Sequence, residues 1–496
     1  MTDTLDTATE VEWRKLSPKM LAVHPVQEVV RLLPVLVGVL FLGREGHGPT
    51  WSLIGLGLAV GFGLIRWFTT TYQVTPHHVR VRRGLVRRRV LSVPRDRVRS
   101  VDLTSHILQR VLGLSRVVIG TGRSDKHDEG VTLDALSVAE AARLREELLH
   151  QRTVAAEPAT TDTAETSLAV LDRRWIRFGP FTLGGLAAVG FLAGIYGKVS
   201  SEVDLDPEKF GPLRAVVHEF NAIPLPLAIA ASAVVFAVVI GLLSTIGYVV
   251  TFWNYRLTRH REGTLHVSRG LITSRSTTIE ERRLRGVEVS ESLLLRMVRG
   301  GRLLAITTGL RVGHGAEHGG SLLLPPAPLG EVQRVAREVY PDGAAVTCEL
   351  TRHTPAARRR RHLRAYTFAA VVTGALLVLH ALSGFPAWAW QVSLLLFPIG
   401  FALAEDRYRN LGHALRGRSF AVRQGSLVRR RHVLDTDGII GVTVHESLFQ
   451  RRSGLATLTV TTAAGKQHCD ALDVGAQEAV DLADRAVPGL LTPFLR

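Results

Sequence analysis

Six long apolar stretches, arranged in three pairs, constrain this chain more than any other feature. They cover residues 29–43 and 51–68, 178–197 and 224–253, and 365–382 and 386–404. A helix rising 1.5 Å per residue needs about 20 apolar residues to cross about 30 Å of hydrocarbon, and most of the stretches are long enough. The first is short unless its helix starts near Pro25 and Arg31 snorkels to the interface. No Asp, Glu, Lys or Arg interrupts 220–255 or 365–404, whereas a helix half-buried in a soluble protein alternates apolar with polar positions. The sequence therefore predicts three transmembrane hairpins.

The charges agree. A chain that is 46% hydrophobic also carries a net charge of +17, a combination that requires apolar and basic residues to be segregated. The three loops within the hairpins, 44–50, 198–223 and 383–385, hold only Arg44, Lys198, Lys209 and Arg214, and the other 57 of the 61 basic residues lie elsewhere. The positive-inside rule then predicts a plasma-membrane protein with both termini and all large polar segments cytoplasmic. Residues 1–27 are polar, carry Asp3, Asp6, Glu10 and Glu12, and do not form a cleavable signal peptide.

The polar blocks after the hairpins repeat one another. Val81-Arg-Arg-Gly84, Val267-Ser-Arg-Gly270 and Val422-Arg-Gln-Gly425 share a turn signature. Counting from that glycine, an apolar residue falls at 14 (Val98, Leu284, Ile439), a valine at 17 (Val101, Val287, Val442) and an arginine at 26 (Arg110, Arg296, Arg451). A second glycine falls at 29, 30 and 29 (Gly113, Gly300, Gly454). These matches identify three copies of one domain. Each copy reads as short alternating strands followed by one helix, with Ser137 and Glu140 spaced as a capping box in the first. The glycine of the shared turn is expected at positive φ.

The expected order is a polar segment 1–28, hairpin 29–68, domain 69–150, linker 151–172, hairpin 173–254, domain 255–340, linker 341–357, hairpin 358–404 and domain 405–496. Both linkers read as flexible connectors, from Ala, Thr, Gly and Pro. The fold class is membrane α+β, six transmembrane helices alternating with three strand-rich barrels, each closed by a C-terminal helix.

Tyr72-Gln-Val-Thr, the Val-x-x-Gly turn, Val93-Pro-Arg-Asp-Arg-Val-Arg-Ser-Val, Leu108-Gln-Arg-Val-Leu-Gly and Tyr408-Arg-Asn-Leu-Gly-His-Ala-Leu carry a family resemblance. The array resembles the bacterial pleckstrin-homology-like (bacterial PH domain) integral membrane proteins of the YdbS/YdbT type, over nearly the whole chain. It departs from that pattern at Ile279-Glu-Glu-Arg-Arg-Leu and Leu434-Asp-Thr-Asp-Gly-Ile, which lack the first copy's proline. The resemblance implies PH-like barrels and membrane anchoring, and it implies no catalytic residues.

Arg87, Arg88, Arg89 and Arg429, Arg430, Arg431 fall near the same turn in two copies and are the candidate contacts to anionic lipid headgroups. An arginine-rich proteome and the positive-inside bias account for the same clusters without a ligand. Nucleic acid is not expected, because the strands lack an aromatic row for base stacking. His314 and His318 lie in a glycine-rich loop, and His380 lies near the outer end of a span, so neither predicts a metal or proton-relay site. The acids of 198–223 read as a solvated loop, and Cys348 and Cys469 are too few for a disulfide framework or zinc site. No phosphate-binding loop, zinc-protease pair or serine-nucleophile elbow occurs. Gly57-x-x-x-Gly61 and Gly190-x-x-x-Gly194 predict close helix packing within hairpins.

The functional expectation is a non-enzymatic scaffold, without catalytic, cofactor or metal sites, whose domains bind each other, protein partners or the membrane surface. A role in envelope maintenance fits the location. A six-span transporter or channel component is the alternative, although such proteins carry polar or broken helices at midplane.

Overall fold

A computed structural model describes residues 13–15, 71–75, 78–83, 89–95, 98, 100–120, 131–150, 165–182, 184–185, 189–190, 194, 224–260, 263–308 and 321–489. The chain divides into two compact units, residues 1–261 with 265–278, and residues 262–264 with 279–496.

The first unit contains β1 (Arg14–Lys15), β2 (Thr71–Val74), β3 (His78–Arg83) and β4 (Arg89–Pro94), which form a sheet in that order. β5 (Ser100–His106), α1 (Ile107–Val111), β6 (Leu114–Gly120), β7 (Val131–Ser137) and α2 (Val138–His150) complete the first copy. β8 (Thr166–Val170), α3 (Leu225–Phe252), β9 (Arg256–His260), β10 (Thr264–Arg269) and β11 (Thr273–Glu280) follow. The second sheet runs β7-β6-β5-β11-β10-β9-β8. Strand alternation turns Val79 and Val81 inward, where they meet Tyr72 and Val93, and the second sheet supplies Val101, Val117, Ile119 and Leu133 to the same core. Ala141 and Leu144 of α2 complete it. Ser137 caps α2 by accepting from the Glu140 N–H at 3.1 Å, while the Glu140 carboxylate accepts from the Tyr72 hydroxyl at 2.6 Å.

In the second unit β12 (Leu284–Ser292), α4 (Leu293–Met297), β13 (Gly300–Thr307), β14 (Leu322–Pro328) and α5 (Leu329–Val339) end the second copy. After α6 (Gly343–Val346), α7 (Pro355–Ser383), α8 (Ala387–Ser393) and α9 (Leu396–Arg409) come β15 (Gly412–Arg416), β16 (Ser419–Gln424) and β17 (Val428–Asp435). β18 (Ile439–His445), α10 (Leu448–Arg452), β19 (Leu455–Thr462), β20 (His468–Gly475) and α11 (Ala476–Ala486) end the third. Here the sheets run β14-β13-β12-β17-β16-β15 and β18-β19-β20. The third core joins Phe420, Val422 and Leu434 to Leu458, Val460, Ala471 and Leu482.

The sheets are open, which corrects the expectation of closed barrels. β5 gives one edge to β6 and the other to β11 of the next copy, so neither edge is left to close onto β4. β12 does the same between β13 and β17. The linkers are also not plain connectors. Residues 151–172 supply β8, which pairs with β9, and residues 341–357 supply α6 and the bridge Thr351 to His413. Each is a sheet edge or short turn too brief to carry a periodic signature.

Three described helices are long and apolar enough to span a membrane: Pro226–Phe252, Pro355–Ser383 and Ala387–Arg409. The expected spans at 29–43 and 51–68, with Gly57 and Gly61, lie outside the described residues, as does most of 183–197. The start of the expected span at Phe178 is instead a 3₁₀ helix, Arg173–Phe181, capped by Asp172 and containing Pro180. Ser244 of α3 donates to the Gly179 carbonyl at 2.7 Å, and a Cβ on Gly185 would lie 2.3 Å from the Ile240 carbonyl oxygen. Close approach in this pair therefore falls at Gly179 and Gly185, and no described atom lies within 4 Å of a Cβ built on Gly190 or Gly194. The last span breaks between α8 and α9 because Pro398 has no N–H and its ring crowds the Leu394 carbonyl four residues earlier.

The turn glycines behave as expected where described: Gly270 and Gly425 have φ of 111° and 103°. A Cβ on either would lie 2.0 Å from a carbonyl oxygen, Thr273 or Val428. The second repeated position is left-handed at offset 29 in every copy, Gly113, Arg299 and Gly454. The second copy thus holds an arginine where the others hold glycine, with Gly300 one place later.

Candidate functional site

The feature that repeats between copies is a seam where the second sheet of one copy continues into the first sheet of the next. At the first seam Thr104 faces Arg275, and at the second Ser290 faces Arg430. Thr104 and Ser290 are each 20 residues beyond their turn glycine, and Arg275 and Arg430 each 5 beyond theirs. Both seams are antiparallel and share one register.

Charges line the second seam. Arg429 Nε donates to Glu291 Oε1 at 3.1 Å, with a second bond to Oε2, Arg430 Nε lies 3.3 Å from Glu288, and His432 Nδ1 lies 3.7 Å from the same carboxylate. Burial holds His432 below the usual imidazole range, against the opposing pull of Glu288. Arg431 turns aside to donate to the Cys348 carbonyl at 2.6 Å, and burial lowers its pKa. At the first seam burial raises the Asp102 carboxyl pKa, with a bond from Thr277 and the charges of Arg275 and Arg269 opposing. Facing opposite charges stabilise paired strands.

Hairpin tips seat against the membrane helices. In the first unit the Gly270 N–H donates to the Trp253 carbonyl and the Leu271 N–H to Val250, both at 2.9 Å, at the end of α3. The repeated arginine of the preceding copy, Arg110, donates to the Leu271 carbonyl at 3.4 Å. In the second unit Arg296 forms a bidentate pair with Asp406 of α9, the shorter bond 2.7 Å, and Ser426 donates to the same carboxylate at 2.9 Å. Leu271, Ile272 and Leu427 at these tips are exposed, as are Met297, Leu448 and Phe449 on the short helices.

A third group ties α7 to the last domain. Asp473 is fully buried at φ 58°. Arg360 bonds its Oδ1, Arg361 Nη2 lies 2.7 Å from its Oδ2, and Gln450 donates to Oδ1 at 3.0 Å. His353 Nδ1–H donates to the Asp473 carbonyl at 3.1 Å, so its Nε2 must accept from His413 Nδ1–H, also at 3.1 Å. Burial, reinforced by His413, pushes His353 down to about 4, and burial lowers His413 as well.

Of the residues singled out in the sequence, Arg429, Arg430 and Arg431 lie side by side on β17 and engage the preceding copy and the segment after it. Arg89 opens β4, while Arg87 and Arg88 lie outside the described residues, as do His314 and His318. His380 Nδ1 bonds the Phe385 carbonyl. Cys348 is half-buried and Cys469 buried, both free. Among the described residues no group of three or more His, Cys, Asp or Glu is placed to hold a metal. Sequence reasoning missed Glu288, Glu291, Asp406 and Asp473. Their signal was acids amid arginine-rich copies, which only strand register converts into pairs.

Repeated two-sheet domains threaded between apolar helices define a membrane protein built of PH-like modules. The bacterial PH domain family model matches residues 28–152, 214–342 and 365–488, and the chain belongs to that family. It is 21% identical over 499 aligned positions to the UPF0699 transmembrane protein YdbT of Bacillus subtilis (strain 168), covering 93% of this chain and 96% of that one. No solved structure matches.

Proposed function

We propose that this chain is a non-enzymatic, six-span membrane scaffold presenting three cytoplasmic PH-like domains to protein partners, to one another and to the anionic membrane surface. The observation that carries the reading is the antiparallel seam, in one register, that joins the first copy to the second and the second to the third. Strand pairing of this kind holds neighbouring modules in fixed relation, which suits a platform. The described polar clusters support it further, because Arg296 with Asp406 and Arg360 and Arg361 with Asp473 fasten domains to helices. The uncharged stretches 220–255 and 365–404 offer a transport path no ionisable group at midplane.

Headgroup contact belongs to the same proposal. Arg87, Arg88 and Arg89 are its candidate contacts, whereas Arg429 and Arg430 pair with acids and Arg431 with backbone oxygen. The exposed tip residues Leu271, Ile272 and Leu427 beside helix ends suit an interfacial setting.

Photo-crosslinking and affinity capture of the full chain from native membranes test the scaffold. Reproducible protein partners are expected, and solute flux through purified, reconstituted chain without any partner would replace the scaffold by a transporter. For the lipid arm, the thermal stability of the detergent-solubilised chain is compared in added anionic and zwitterionic lipid. Ala at 87, 88 and 89 should remove the anionic preference, and an unchanged preference would remove the headgroup assignment.

A further inference from the structure

Among the strands that end their sheets, β4 and β18 are the two that complete the seam pattern. The seam uses the strand after the 3₁₀ or tight turn of one copy, β5 or β12, and the last strand of the next copy's first sheet, β11 or β17. The third copy has such a donor edge in β18 and the first copy such an acceptor edge in β4. Each ends its sheet.

We propose that β18 of one chain pairs antiparallel with β4 of a second copy of the same chain, in the register of the two internal seams. This rests on the scaffold reading and names one of its partners. That register places Val444 opposite Val90 and Thr443 opposite Leu91, as Val289 faces Arg431 and Leu103 faces Ser276 inside the chain.

Three observations converge on this pairing. β12, covered by β17, is buried from Gly286 to Glu291, whereas every residue of β18 is half-buried or exposed, with Ile440 65% exposed. On β4 Val90 and Leu91 are 55% and 40% exposed. Proteins blunt unpaired edges with lysine, proline or inward charges, yet β18 reads Ile-Ile-Gly-Val-Thr-Val-His, and its only ionisable residue is the terminal His445. Finally, the repeated arginine crosses to the next copy at both seams, Arg110 to Leu271 and Arg296 to Asp406, while its third counterpart Arg451 is exposed and its guanidinium has no partner among the described residues. A second chain would supply the missing fourth copy. Because the two edges differ, the contact is heterologous and generates a ring or an open row in the membrane.

Cysteine crosslinking of the full chain in native membranes tests the register. In a Cys348→Ser background, differently tagged chains carrying Val90→Cys or Val444→Cys are co-expressed and oxidised, with Leu91→Cys and Thr443→Cys as a second pair. Val90→Cys with Ile440→Cys is the out-of-register control. The expected result is a mixed-tag disulfide dimer from at least one in-register pair, about tenfold above the control, because bridging requires Cα atoms within about 7 Å. Placing both cysteines in one chain should extend the product beyond dimers or close it into a ring. All sites are on exposed or half-buried edge positions, and membrane yield and thermal unfolding equal to the parent verify folding. Monomers alone, equal yield from the control, or dimers between two Val444→Cys chains would overturn the proposal. Those failures would leave capture of other proteins, and hence the scaffold reading, standing or falling on its own measurement.

Discussion

Glu291 and Arg429, 138 residues apart, face each other across β12 and β17 and hold the second and third copies in register. The Glu291 side chain is 8% exposed and that of Arg429 23%, so the pair is shielded from solvent far better than an ordinary surface ion pair.

Removing either partner leaves the other poorly solvated. Glu291→Ala or Arg429→Ala should lower the unfolding free energy of the solubilised chain by about 1–3 kcal/mol, read by denaturant or thermal unfolding. A double-mutant cycle should give a coupling of about 0.5–3 kcal/mol. Additive single effects would show that the pair contributes nothing to the seam.

Backbone conformation at the repeated turns gives a graded series. Gly270→Ala and Gly425→Ala add strain and a 2.0 Å clash with carbonyl oxygen, so each should cost about 1–3 kcal/mol. Gly454→Ala, with φ 62° and open space around it, should cost only about 1–2 kcal/mol. Arg299→Gly, at φ 54°, should be neutral or stabilising by up to about 1 kcal/mol. Unfolding midpoints order the four variants.

Acid should loosen the join between α7 and the last domain. His353 titrates near 4 when folded, against 6.5 when free. Between those values the unfolded chain binds a proton that the folded chain refuses, so stability rises with pH through this window. The contribution is complete above 6.5 and lost as pH falls toward 4, on the order of 3 kcal/mol. His353→Gln should flatten the stability profile between these limits, as followed by hydrogen exchange of 353–361 and 411–415.

Asp473→Asn keeps a residue tolerant of left-handed backbone but removes the charge facing Arg360 and Arg361. An uncompensated buried arginine pair should cost about 3–5 kcal/mol. Limited proteolysis should then release the last domain from its hairpin well before the seam opens, and resistance equal to wild type would contradict the anchoring role.

Much of this molecule was legible in its residues. The apolar stretches at 224–253, 365–382 and 386–404 announced the described spans, and the Val-x-x-Gly signature announced turns that Gly270 and Gly425 make at positive φ. Ser137 announced the cap of α2. These signals are local, because hydropathy, turn conformation and capping act over a few neighbouring residues. The break at Pro398 was equally local, though hidden in a continuous apolar run. The arginines of β17 could be seen as a cluster but not assigned, since their acids lie on β12 of another copy.

Tertiary structure decided which strand edges meet. Every strand offers the same backbone N–H and C=O groups along both edges, so composition and alternation make β5 and β12 strands without naming their neighbours. Closure within one copy and continuation into the next satisfy the same local rules. Packing of the first and third cores, pairing of Glu291 with Arg429, and seating of Gly270 on the end of α3 select continuation, and with it the seams on which the proposed function rests.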